Sequence, residues 1–244
     1  LMVIDLPANF IEQVKNIDWS AVREAVKDYR PALTVLRDTW DRETLAQISE
    51  GHLFVRDSIL NEAIANNIGM QGTIRGVVLR SHANGRLDLV CTTAKKYKTI
   101  ELSGTIEEFI HDGDKSYAVY RVREKNIPNH GFVSWVFSRV SLSMVERMVG
   151  RLDVSDRLPV DIRGNKVYVD FHEVLAASKL GQTTLRGHNL MEMIEIEGAE
   201  VREGGIMFDM KLNVPDDVRE TIRSILQSGG STGTGEGAEE GGAH

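Results

Sequence analysis

The run Thr73-Ile74-Arg75-Gly76-Val77-Val78-Leu79-Arg80, then Asn84-Gly85, then Arg86-Leu87-Asp88-Leu89-Val90-Cys91-Thr92-Thr93, reads as a β-hairpin. Asn-Gly supplies two residues that accept positive φ, which a tight hairpin turn requires. Ahead of it, His52-Leu53-Phe54-Val55 is a short strand. Asp57 or Ser58 then caps a helix with apolar positions Ile59, Leu60, Ala63 and Ile64, closed by Gly69. The unit is therefore strand, helix, strand, turn, strand.

The same order recurs downstream. Val167-Tyr168-Val169 is a strand, Phe171 to Leu180 a helix, Leu190 to Val201 a strand, Glu203-Gly204-Gly205 a turn and Ile206 to Val214 the return. Gly198-Ala199-Glu200-Val201-Arg202 before Gly204-Gly205 parallels Gly76-Val77-Val78-Leu79-Arg80 before Asn84-Gly85. Duplication and mere similarity of hairpins both account for this.

Between the two units lie two further strands. Lys98 to Phe109 alternates through Ile100, Leu102 and Ile106, and His111-Asp112-Gly113-Asp114 turns the chain into Ser116 to Arg123. Pro128-Asn129-His130-Gly131 interrupts the strand pattern. Residues 132–149 then form the most apolar helical run of the chain, ended by Gly150.

The flanks differ in character. Residues 1–50 read as a helical N-terminal extension with Phe10, Val14, Ile17, Leu33, Leu36 and Trp40 on apolar stripes. Residues 51–227 are the α+β domain, and residues 228–244, rich in Gly, Ser, Thr and Glu, form a disordered tail with nothing to bury.

The chain has 244 residues, 41% apolar and 27% charged, an ordinary globular mixture. Its net charge of −7 and lack of a basic stripe argue against nucleic acid as a partner. Lys95, Lys96 and Lys98, the densest basic cluster, read as a solvated loop. The single cysteine, Cys91, excludes an intrachain disulfide and sits in a strand as a small hydrophobe. No stretch has the ~18 apolar residues of a transmembrane segment. The first residues lack the basic and apolar regions of a signal peptide, which implies a cytoplasmic protein, or a periplasmic one if a leader has been removed.

The search for chemistry returns near-misses. His172-Glu173 begins the zinc motif H-E-x-x-H, but Ala176 stands where the second His belongs. Asp112-Gly113-Asp114 opens like a calcium loop without the bidentate Glu that would complete it. No phosphate-cradling G-x-x-x-x-G-K-[ST] and no nucleophile elbow occurs. No catalytic residue, metal site or cofactor is assigned.

The run 132–149 is apolar on more than one face. Val133, Val136, Phe137, Val140 and Met144 form one stripe, Phe132, Trp135, Leu142 and Val149 another, and Ser134, Ser138 and Ser141 a narrow polar side. A helix apolar nearly all round is normally buried. Its cover is protein core, an apolar ligand or a second copy of the chain. Methionines and large apolar residues in the closing hairpin (Met191, Met193, Ile206, Met207, Phe208, Met210) suit either a core or an adaptable apolar groove.

The helix after Phe54-Val55, the strands from Gly72 to Arg123, the apolar run Phe132–Val149 and the hairpin Ile194–Leu212 follow one another in an order that resembles the tubular lipid-binding (TULIP/SMP-like) superfamily, particularly its small bacterial members. The resemblance covers about two-thirds of the chain. It implies a curved antiparallel sheet wrapped on a long apolar helix, with acyl chains held between them. Phe132, Val133, Trp135, Val136, Phe137, Val140, Met144, Met193, Ile206, Phe208 and Met210 would then line the site for a lipid or other apolar small molecule.

Two other readings stay open. The patterned N-terminal helices suit a scaffold or assembly protein, with a homodimer as one form. Asp57, Asp170, His172 and Glu173, at strand-to-helix junctions, suit an enzyme of unrecognised type.

Overall fold

The computed structural model describes Gln47 and residues 50–69, 72–113, 115–149, 151–179, 181–185, 187–217 and 219–220. The expected N-terminal helical stripes and the tail at 228–244 lie outside these residues.

The chain runs β1 (His52–Arg56), α1 (Asp57–Asn67), β2 (Ile74–Ser81), β3 (Leu87–Thr93), β4 (Thr99–Asp112) and β5 (Lys115–Asn126). Two short helices follow, α2 (Gly131–Arg139) and α3 (Leu142–Val149), then β6 (Val160–Arg163), β7 (Lys166–Asp170) and α4 (His172–Ala177). The small ribbon β8 (Thr184–Leu185) and β9 (His188–Asn189) and a 3₁₀ turn at Met191–Met193 lead into the hairpin β10 (Ile194–Arg202) and β11 (Gly205–Leu212). Strand, helix and hairpin thus occur in that order at both places. The two units pair differently: β1 lies beside β11, whereas β7 lies beside β5.

Nine strands form one antiparallel sheet, and β4 organises it. One edge of β4 pairs with β5 along its length, and β7 and β6 extend the sheet beyond. The other edge of β4 serves two partners. Its first half pairs with β3, from Thr99↔Thr92 to Gly104↔Leu87, and its far end meets β10 at His111↔Ile196. Bulges after Ser103 and after Ile106 bend the strand between these halves. A bulge adds a residue on one strand and increases local twist. Gly104 is required at the first bend, because a Cβ there would stand 2.0 Å from the Arg121 carbonyl oxygen.

The sheet therefore forks at β4 into a β3–β2 branch and a β10–β11–β1 branch. Their far ends meet again without pairing as strands. The Gly204 N–H donates to the Ser81 carbonyl at 3.3 Å, and the Ala83 N–H donates to Glu203 Oε2 at 2.9 Å. The core fills the space between the branches: Leu79, Leu87, Cys91, Ile100 and Leu102 from one, and Val201, Ile206, Phe208 and Met210 from the other, belong to one buried cluster. Each such large side chain contributes roughly 1.5–3 kcal/mol. Phe109 stacks on Phe171 at 4.8 Å and meets Phe208 edge-on at 4.9 Å.

The sequence-based expectation of a curved sheet wrapped on a long apolar helix is overturned. Antiparallel sheet dominates, its branches do not close into a tube, and no long apolar helix is present among the described residues. The run 132–149 is broken at Val140, whose backbone is extended (φ −93°, ψ 159°). Two of the serines that read as a polar face, Ser138 and Ser141, flank the break. Ser138 Oγ donates back to the Trp135 carbonyl at 2.9 Å as α2 ends. Ser141 Oγ accepts from the Met144 N–H at 3.3 Å, the bond by which a serine caps a new helix. The β6–β7 turn completes that cap: Asn165 Oδ1 accepts from the Leu142 N–H at 2.9 Å and the Gly164 carbonyl from the Ser143 N–H at 2.9 Å. Serine and asparagine compete for backbone groups in this way, so Ser138 and Ser141 permit a break that the β6–β7 turn completes.

Candidate functional site

The break distributes the expected ligand-lining residues between two environments. Phe137 is buried, and Val133 and Val140 pack against the core. Met193, Ile206, Phe208 and Met210 are buried, three of them in the cluster between the sheet branches and Met193 at the end of the 3₁₀ turn. Val136 is half-buried. By contrast, Phe132 is 77% exposed, Trp135 53% and Met144 50%. Two of the expected positions, Phe132 and Trp135, touch one another on the surface, and none of the buried hairpin residues joins them.

The local sequence explains this surface. β5 leaves the sheet through Ile127-Pro128-Asn129-His130, where the His130 N–H donates to the Ile127 carbonyl at 3.3 Å. Pro at the second position and a positive φ at the third (Asn129, +64°) match a type II turn. The turn aims α2 across the end of β5. Ser134 Oγ then accepts from the Ile127 N–H at 3.1 Å and donates to Asn126 Oδ1, fastening the first turn of the helix to the strand. With Phe137 facing the core, helical periodicity carries Phe132 and Trp135 to the outside.

Phe132 and Trp135 stack with ring centroids 6.1 Å apart and planes inclined at 17°. The Arg139 guanidinium lies 4.0 Å from the centre of the Trp135 ring, close enough for a cation–π contact. Beside this pair lies a shallow, widely open cleft of about 520 Å³ whose walls include Lys125, His130, Gly131, Ser134, Trp135 and Ser138. A second cleft, of about 450 Å³, lies against β6 and β7 between Glu146, Asp161, Arg163 and Tyr168. Its charged groups have partners: Glu146 Oε1 accepts from the Leu152 N–H at 3.2 Å, and Arg163 bonds Asp161 at 2.7 Å.

The residues expected at strand-to-helix junctions do not assemble. Both carboxylate oxygens of Asp57 are held by Ser81, at 2.8 Å from its N–H and 2.6 Å from its hydroxyl. Asp170 Oδ1 accepts from the His172 N–H at 2.9 Å, a local turn bond at the start of α4. Among the described residues, no three His, Cys, Asp or Glu side chains are placed to share a metal ion. Burial pushes the Cys91 thiol up to about 11, the reverse of what a nucleophile needs. No described helix is long and apolar enough to cross a membrane.

Lys125 is the residue that sequence reading passed over. It lies on the core face of β5 beside Leu102, its partner across the ladder, and is 7% exposed. Alternation alone misplaces it, because a bulge at Arg123 shifts the pattern by one: Val122 pairs with Gly104 but Glu124 with Ser103. Burial lowers the pKa of its ammonium. Compared with known protein-family models, characterised proteins and solved structures, the chain matches none.

Proposed function

We propose that the protein binds a lipid or similar amphiphile, without catalysis, through the outer face of α2. The observation that carries this reading is the stacked pair Phe132–Trp135, largely exposed although no other described phenylalanine is exposed. Two adjacent exposed aromatic rings on one helix are an unusual surface feature and mark a contact site. Tryptophan and arginine together suit the boundary between hydrocarbon and water, the ring entering the apolar layer and the guanidinium staying with the head groups. Met144 on α3 is a further exposed apolar residue, and Arg147 follows it in the last turn of that helix. This reading replaces the groove between a long helix and the sheet, since that helix is divided.

Transfer of Phe132 and Trp135 into hydrocarbon is worth roughly 1.5–3 kcal/mol each. Co-sedimentation with phosphatidylcholine–phosphatidylglycerol vesicles tests the proposal. Wild type is expected to pellet with vesicles, and Phe132→Ala/Trp135→Ala to lose at least tenfold in partitioning while keeping its circular dichroism spectrum. Wild type remaining in the supernatant, or equal partitioning of the double variant, would refute the reading.

A further inference from the structure

The cleft beside the aromatic pair contains two unsatisfied sources of positive charge. The first is Lys125, more than nine-tenths buried, with no side-chain hydrogen bond or ion pair among the described residues. Its stem is enclosed by the fold while the ammonium reaches the cleft, so the charge is held at a fixed place on the cleft wall. The second is the start of α2. His130, at the capping position, makes no side-chain bond to the helix, so the first-turn N–H groups at Gly131, Phe132 and Val133 stay uncapped. These groups form the positive end of the helix dipole. Lys125, His130 and Gly131 all line the one cleft.

Several other polar groups of the cleft are already engaged. Ser134 Oγ both accepts from Ile127 and donates to Asn126, and the Ser138 hydroxyl donates to the Trp135 carbonyl. Glu101 holds the Asn126 amide at 2.7 Å. The unused donors are the ammonium, the backbone N–H groups, the Asn129 amide and the His130 ring, which together favour an oxyanion.

We infer that this cleft seats the anionic head of the amphiphile, a phosphate or a carboxylate, between Lys125 and the open first turn of α2, with the hydrocarbon laid on Phe132 and Trp135. The inference rests on the amphiphile reading above and specifies its charge. The arrangement also explains why a lysine occupies a core-facing position opposite Leu102: its partner arrives with the ligand.

Calorimetric titration of the full chain with octyl phosphate, octanoate, octyl glucoside and inorganic phosphate, all below micelle-forming concentrations, tests it. The better of the two anionic amphiphiles is expected to bind at least tenfold tighter than octyl glucoside. Lys125→Met should erase that difference while leaving octyl glucoside within twofold of wild type, and Lys125→Arg should retain part of it. Lys125→Met removes the ammonium and keeps the apolar stem and the length of the side chain, so its melting temperature should match that of wild type. Anionic binding unchanged in Lys125→Met, with Phe132→Ala/Trp135→Ala still impaired, overturns the head-group site and leaves the amphiphile reading standing. Failure of every octyl ligand to bind wild type overturns that reading and the inference with it. Inorganic phosphate binding as tightly as octyl phosphate overturns the assignment to an amphiphile head.

Discussion

Asn61 stands in for a missing β-strand: its Oδ1 accepts from the Leu79 N–H at 2.7 Å and its Nδ2 donates to the Leu79 carbonyl at 2.9 Å. One turn earlier on α1, Asp57 holds the Ser81 N–H and hydroxyl. β2 ends its branch of the sheet, and an unpaired edge is a template for pairing with another chain. Two polar side chains on one helix face thus satisfy alternate residues of that edge. Gln47 does the same for β1, its Oε1 accepting from the Phe54 N–H at 2.8 Å.

Asn61→Ala should expose this dependence. It strips a part-buried backbone N–H and carbonyl of their partners, at a cost of about 1–3 kcal/mol. For a chain of this size that corresponds to a fall of roughly 3–10 °C in melting temperature. Thermal unfolding followed by circular dichroism checks the shift, and light scattering checks the expected rise in self-association. A melting temperature within 1 °C of wild type would show that solvent or neighbouring groups replace the amide.

Two glycines of the sheet separate close approach from mere occupancy. At Gly104 a Cβ would stand 2.0 Å from the Arg121 carbonyl oxygen, a backbone atom that cannot swing aside, whereas at Gly76 it would meet the Thr92 side chain at an ordinary 3.8 Å. Gly104→Ala should therefore cost more than ~2 kcal/mol, by forcing β4 and β5 apart at the bulge. Gly76→Ala should be neutral or slightly stabilising, through the reduced freedom of the unfolded chain. Urea titration of both variants gives the comparison, and equal midpoints would contradict the bulge geometry.

Acid should weaken the outer face of the β3–β4–β5 region. Burial tends to raise the Asp88 carboxyl, but bonds from Arg86, Ser103 and His82 outweigh it and bring the group down from 3.8 to about 2. Glu107, held by Arg121 and by Lys166, is likewise brought down to about 2. The folded-state values lie below the unfolded ones, so the stabilisation is fully present above pH ~4 and is lost as pH falls toward 2. Asp88 is partly exposed, which limits its share to on the order of 1–2 kcal/mol. The urea midpoint of wild type should drop between pH 4 and pH 2, and Asp88→Asn should flatten part of that drop while starting lower at pH 7. A pH-independent midpoint over this interval would contradict the assigned pairing.

Local pattern carried much of the fold. Period-two alternation and the Asn84-Gly85 turn marked β2 and β3, and the same logic found β4, β5 and the β10–β11 hairpin, because a strand half-buried on one face must alternate. Phe132 and Trp135 could likewise be named from sequence as apolar residues of one helical stretch. Their exposure could not, since Phe137, five residues on, is equally apolar and buried.

What the sequence determined alone was the order of β1, α1, β2 to β5, β7, α4 and the β10–β11 hairpin, and the chemistry on offer: one cysteine, no zinc or phosphate motif, and an aromatic-rich apolar run. Tertiary structure decided the rest. It divided the run 132–149, because the β6–β7 turn brings Asn165 and Gly164 to cap a second helix at Leu142 and Ser143. It forked the sheet at β4, because the two halves of one strand edge meet partners that are distant in sequence. It also turned Lys125 toward the core, because a one-residue bulge reverses which face each later side chain occupies. Periodicity reports a residue's immediate neighbours along the chain, whereas burial and pairing are settled by whatever the fold brings against it.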